Sequence, residues 1–530
     1  MKAHTMRYAI ATFGSILLLV PLHAETFYLD AAGGKDTNSG LTADLAWQSL
    51  AKANAQPFHP GDSLVLKRGC RFAGGLSLNL QGTAAQPIVI TAYGEGSAPV
   101  IDAKGYIAGV QLINSHHLVV KDLEITADGG ETRDGSKPGF RYGVYVQAQQ
   151  GATSHVTVEN LTIRKIYPEI ASKHEGKSPT TYLGTAIAIE GEEETPSSQF
   201  TIRGCRISET GFKAIGLSKI REVQVLDNQM TDIGGPAIQP GRVDDLVVRG
   251  NSVIRSGSSL DPRMHGRGSG IWPWTCRRVL IEKNRFLHAR GKGDSCGIHI
   301  DYNCSDVVVQ YNLSEDNEGG FAEFLGKNSN CAYRYNISVN DGFRVKKHNG
   351  AMQEGKILMT SGYVGGGKPK EGPCNSYIYN NTIYVKEGAR SCFSFAPSTE
   401  GLLIANNIFH ILGETVNVLD DQDKRKDKQV TGIRRALVRN NLYISDSVLP
   451  KNLPFADSGM IVGDAGFSKP GGMQAADYIP QNTKLVKGRG IDIPMLDGDA
   501  TGLRIGLRVT TDFFGNPIVG KPDIGAIQIQ

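Results

Sequence analysis

The chain has 530 residues with 57 Lys and Arg against 53 Asp and Glu, a formal charge of +4. Losing Lys2 and Arg7 with an N-terminal leader would lower that charge to +2, too little to argue for nucleic acid or any other polyanion as partner. Its 64 glycines exceed the usual share of about 7% and suit a fold that turns every few residues.

At the N-terminus, Lys2, His4 and Arg7 precede an uncharged run from Tyr8 to Leu22, and Leu22-His23-Ala24 forms a small-residue site. This pattern predicts a signal peptide over 1–24, cleaved between Ala24 and Glu25. The run is short for a bilayer span and no second apolar stretch matches it, so the mature protein is expected to be secreted or periplasmic, soluble and free of membrane. Residues 25–75 read as an entry segment: a strand at Thr26–Asp30, a loop, and a short helix in AWQSLAKANA that would cover the exposed edge of the first coil.

Further along, an Asn returns in one apolar frame: Asn160, Asn228, Asn251, Asn284, Asn312, Asn336, Asn381, Asn407 and Asn441. The shortest intervals are 23, 24, 26 and 28 residues, and the longer ones leave room for inserted loops. Strand-like repeats of this length predict an all-β, right-handed parallel β-helix over 76–445, with the Asn residues stacked at one turn as a structural ladder. A closing cap is expected over 446–530. Loops interrupt at 128–141, 166–183, 256–269, 347–354 and 418–431, the last a solvated charge run. Cys276 and Cys304 each lie eight residues before their ladder Asn, so they should stack in adjacent coils, as free thiols in preference to a disulfide.

The first strands of successive coils align as GVYVQ (143–147), AIAIE (186–190), AIGLS (214–218), AIQPG (237–241), GIWPW (270–274) and GIHID (297–301). Alternation turns the third and fifth residues outward. The outward column therefore reads Gln147, Glu190, Ser218, Gly241, Trp274, Asp301, and GGFAE (319–323) adds Glu323 to it, one rung from Asp301. A rung is about 4.8 Å, and carboxyls about 5–5.5 Å apart have the geometry of a retaining glycosidase. Like charges so stacked are destabilising without a purpose. Trp272, Trp274, His299, Tyr302 and Phe321 flank the pair and suit the apolar face of a sugar ring. Arg344 would fall on the next rung with Lys346 beyond it, the loop 263–270 brings Arg263, His265 and Arg267 to the Trp272 strand, and Glu190 would shape a distal subsite.

The β-helix pattern, the entry FYLDAAGGKDTNSG and the exit DFFGNP…PDIGA resemble secreted bacterial pectate-lyase-like carbohydrate-active proteins. More locally, GIHIDY followed by GGFAEF resembles β-helix glycosidases of the xylosidase type. That resemblance implies Asp301 as nucleophile and Glu323 as acid/base, although His299 and the Gly319-Gly320 pair depart from its aromatic frame. The resulting expectation is a retaining glycoside hydrolase, monomeric, acting on a polysaccharide or oligosaccharide, with no nucleic-acid partner; no cofactor is established and Ca2+ stays open. Two alternatives remain open. One is a lyase in which Asp301 and Glu323 hold Ca2+ and Arg344 or Lys346 abstracts a proton. The other is a glycan-binding β-helix without catalysis.

Overall fold

A computed structural model describes residues 23–133, 139–170, 183–418 and 433–530. The leader and the charge run at 420–429 lie outside them, as do parts of the loops at 128–141 and 166–183. Among the described residues the strands form three sheets of 18, 14 and 4 strands, and every strand pair is parallel. This is a parallel β-helix. The two 12-residue strands Ile215–Leu226 and Ile238–Arg249 bend round one corner and so merge two faces into the largest sheet. The ladder runs past the 76–445 limits read from the repeat. It begins where Thr26–Leu29 pairs with Ser63–Leu66 and ends where Leu442–Tyr443 pairs with Ile461–Val462.

Period-2 alternation sends one apolar side chain per rung into the tube. Val144, Ile187, Ile215, Ile238, Ile271 and Ile298 stack in register and are fully buried. Stacked β-branched residues pack well on a pleated surface, so each coil buries its neighbour's face.

At the recurrent turn, Asn Nδ2–H donates to the Oδ1 of the next Asn from Asn228 through Asn251, Asn284, Asn312, Asn336, Asn381 and Asn407 to Asn441, at 2.9–3.0 Å. Asn441 ends the ladder on the Asp457 carboxylate at 2.8 Å. The residue before each ladder position is left-handed, for example Lys283 (φ 56°), Tyr311 (φ 58°) and Asn380 (φ 51°). Asn160 is the exception. It occupies that left-handed position itself (φ 52°) and is exposed, while Leu161 and Cys205 fill the ladder positions of the earlier coils.

The ends are closed differently. At the N-terminus a helix, Leu50–Asn54, is capped by Ser49, which accepts from Lys52 N–H, and it buries Leu50 and Ala53. The C-terminal segment instead straps back along the outside of the last coils. Tyr377 donates to Asp499 at 2.5 Å, Tyr311 to the Thr511 carbonyl at 3.0 Å, and Ala526 N–H to Thr382 at 3.0 Å. All eight cysteines are free thiols, and Cys276 and Cys304 do stack in adjacent coils. No helix among the described residues is long and apolar enough to cross a membrane.

Candidate functional site

The first strands pair as the sequence aligns them as far as Asp301: Ser218 with Gly241, Gly241 with Trp274, and Ile271 with Ile298. The next rung corrects the reading. Ile300 bridges Phe324, so Glu323 stands one rung from His299 and Leu325 occupies the Asp301 column. Glu323 remains on the outer face but lies diagonal to Asp301. Diagonal neighbours on a sheet are about 7–8 Å apart, against about 4.8 Å for one rung, so the one-rung argument for a retaining pair falls away. The following rung is Lys356–Thr360, not Arg344.

Asp301 is buried, and each of its oxygens accepts a hydrogen bond: Oδ2 from the Trp272 indole at 2.6 Å, Oδ1 from the Tyr302 backbone N–H at 2.7 Å. Burial raises its pKa above the usual carboxylate value, although His299, Trp272 and Tyr302 N–H pull the other way. His299 stacks on Trp272 with ring centroids 5.0 Å apart and points Nε2 at Glu323 Oε1, 3.5 Å away. Neither ring nitrogen makes a hydrogen bond, though the residue is only 2% exposed. Burial alone would lower the pKa of this imidazole. Glu323, Asp301 and Asp294 outweigh it, so the value is raised and the charged form favoured. Glu323 Oε2 accepts from the Cys296 thiol at 3.1 Å, and burial followed by Glu323 pushes that thiol well up.

Asp294 completes the cluster, and no strand pattern marked it. It sits in the loop before the Asp301 strand, left-handed (φ 48°) and buried against Arg267. Burial would raise its pKa, but Arg267, His299 and Arg344 hold it below the usual carboxylate value. A signal was available: Gly291-Lys292-Gly293 breaks the strand period and leaves an acid seven residues before Asp301.

The remaining residues separate into lining and scaffold. Trp274 and Tyr302 are half-exposed neighbours at 6.4 Å, and Tyr363 meets Tyr302 edge-on at 6.2 Å. Phe321 is not a lining residue: it is fully buried in the tube against Tyr333 at 5.7 Å. The Tyr333 hydroxyl reaches the Ile298 and Glu323 carbonyls from inside, at 3.2 and 3.4 Å. Arg344 is a strut. It donates to the carbonyls of Gln353 (2.9 Å), Gly291 (3.2 Å) and Asp294 (2.9 Å), fixing the loop that carries Asp294. Lys346 belongs to the same loop, its N–H on Glu354 at 3.0 Å. His265 packs edge-on against Phe212 at 5.3 Å, with its backbone N–H on the Gly211 carbonyl. Arg263 is taken by Asp261 and Asp128.

Behind the site, the buried Asp341 begins the Arg344 loop. It accepts from Asn317 N–H (3.0 Å), Asn317 Nδ2 (2.8 Å) and Ser338 (2.7 Å), yet burial pushes its carboxyl up to about 7. Among the described residues no group of three or more His, Cys, Asp or Glu is disposed to hold a metal. The two carboxylates envisaged as a Ca2+ clamp are each engaged by a protein donor, Asp301 by Trp272 and Glu323 by Cys296.

Three comparisons bear on the fold and on what the chain is similar to. The family model described as right handed beta helix region matches residues 108–363, which fixes the hand of the coil. A curated lacto-N-biosidase of Bifidobacterium longum subsp. longum is 26% identical over 98% of this chain, and the chain spans 37% of that protein's length. The crystal structures of GH136 lacto-N-biosidase from Eubacterium ramulus, native and selenomethionine, superpose with TM-scores of 0.52 and 0.51 at 21% and 22% identity. Both cover 75% of this chain and 68% of that one, and they support the fold.

Proposed function

We propose that this chain is a glycoside hydrolase acting on an oligosaccharide outside the cytoplasm, where the leader at 1–24 would deliver it as a monomer. The observation that carries the reading is Asp301, a buried carboxyl held on both oxygens by donors and flanked by Trp272, Trp274 and Tyr302. Asp301 attacks the anomeric carbon, which makes the enzyme retaining; the resemblance of GIHIDY and GGFAEF to β-helix glycosidases supports this role, and the diagonal spacing of Asp301 and Glu323 does not. The two donors to Asp301 aim the carboxylate, and burial strips it of water. The Glu323–His299 pair gives the proton to the leaving oxygen and then takes one from water; the raised pKa of His299 keeps a proton within 3.5 Å of Glu323. Asp294, held ionised by Arg267, stabilises positive charge as the oxocarbenium-like transition state develops.

The similarity of nearly all of this chain to 37% of a protein named lacto-N-biosidase supports lacto-N-biose as the sugar to try first. The test is to incubate the mature protein with an aryl glycoside of lacto-N-biose, other aryl glycosides, and plant and algal polysaccharides. Reducing ends are measured, and the anomer first released is read by NMR. Retained configuration supports the assignment. Unsaturated uronates would replace it with a lyase, and binding without turnover with a lectin-like role.

A further inference from the structure

Four rungs from Asp301, about 19 Å at about 4.8 Å each, the same outward column reaches Glu190. The positions between Trp274 and Glu190 are Gly241 and Ser218, and the Trp274 indole lies across Gly241, where a Cβ would come within 2.4 Å of the ring. The floor from Asp301 outward is thus the Trp274 plate, with the Arg242 guanidinium 5.4 Å over its ring, followed by one small hydroxyl. At its far end the exposed Glu190 accepts the Tyr145 hydroxyl on Oε2 at 2.8 Å, and Tyr145 stacks on Tyr142 at 4.1 Å with 14° between the rings. Beside them Lys213 reaches over Gly216, whose missing side chain makes room for it: a Cβ there would lie 3.2 Å from Lys213 Cδ and 3.8 Å from Nζ.

We infer that Tyr145, Glu190 and Lys213 form a distal subsite for a neutral sugar residue of the same oligosaccharide that Asp301 cleaves, an inference that rests on the hydrolase reading. An acceptor and a donor of opposite charge stand beside an aromatic edge. A sugar hydroxyl, both donor and acceptor, bridges such a pair while the ring packs on the tyrosines. A charged sugar would meet one like charge whichever its sign, so neutral sugars are selected. Because the subsite lies four rungs away, it adds binding only for substrates long enough to span the Trp274 plate.

The test compares an aryl glycoside of lacto-N-biose with longer linear oligosaccharides containing that disaccharide and extended at either end. The ratio of kcat/KM for long over short substrate should exceed one in the wild type. In Tyr145→Phe with Glu190→Gln it should fall about tenfold, the loss expected of hydrogen bonds to a charged group. A ratio that does not move in the variant overturns the subsite. Should neither substrate be turned over, the hydrolase reading fails separately and binding decides. By titration calorimetry the long oligosaccharides must bind the wild type more tightly than the short glycoside and lose that advantage in the variant; equal affinities overturn the inference.

Discussion

His299 Nε2 stands 3.5 Å from Glu323 Oε1, one rung apart on the outer face. Asp294 also bears on the charge of His299, so the pair can be tested against that carboxyl for the role of proton donor. Glu323→Gln should slow hydrolysis of substrates with poor leaving groups far more than that of activated aryl glycosides, and azide should partly restore it. Asp294→Asn should slow both classes alike, because it removes charge stabilisation and not the proton. If the dependence on leaving group follows Asp294→Asn instead, the proton donor is Asp294.

Trp272→Phe keeps a ring stacked on His299 but removes the N–H on Asp301 Oδ2. A hydrogen bond to a charged group is worth about 1.5–3 kcal/mol, so kcat/KM should fall about tenfold to a hundredfold. The thermal midpoint should stay close to that of the wild type, because Trp272 is half-exposed. An unchanged kcat/KM would remove Asp301 from the reaction.

The ladder predicts a contrast in stability. Asn312 donates to the Ile281 and Gln310 carbonyls and to Asn336, and accepts from Asn284. Asn312→Ala leaves buried groups without partners, each at a cost of about 1–3 kcal/mol, and should cost several in urea unfolding. Asn160→Gly, at an exposed left-handed position, should cost little or stabilise slightly.

Asp341 should make stability depend on pH. Its folded pKa, about 7, lies above the unfolded value of 3.8. The folded state therefore favours the neutral acid: the wild type is at its best below pH 4 in this respect and loses that contribution as pH rises through 7. Asp341→Asn carries no such penalty. Its advantage over the wild type in denaturant titrations should grow between pH 4 and 7, toward a ceiling on the order of 4 kcal/mol, and then level off.

The fold was legible because the Asn ladder is periodic, and the column from Glu190 to Asp301 was legible because those coils share one strand frame. Glu323 was misplaced for a reason intrinsic to strands. A one-residue slip turns every side chain over, but a two-residue slip keeps each on its face, so burial alone could not choose between pairing Glu323 with Asp301 or with His299. Asn160 failed through the turn, whose left-handed and ladder positions are adjacent and both tolerate Asn. The doublets Asn380-Asn381, Asn406-Asn407 and Asn440-Asn441 display the two roles side by side. Asp294 and Cys296 escaped notice because loop residues carry no period to read.

Tyr333 holds the Ile298 and Glu323 carbonyls with one hydroxyl, from the side of the tube that no sugar touches. The separation of those two rungs is therefore set partly from the interior, and substrate preference can drift through residues that never meet a substrate. Tyr333→Phe keeps the ring and removes the hydroxyl from both carbonyls, leaving the Glu323 carbonyl its bond from the Ile300 N–H. Its signature would be an altered choice among glycosides in a protein whose groove is, side chain for side chain, the same.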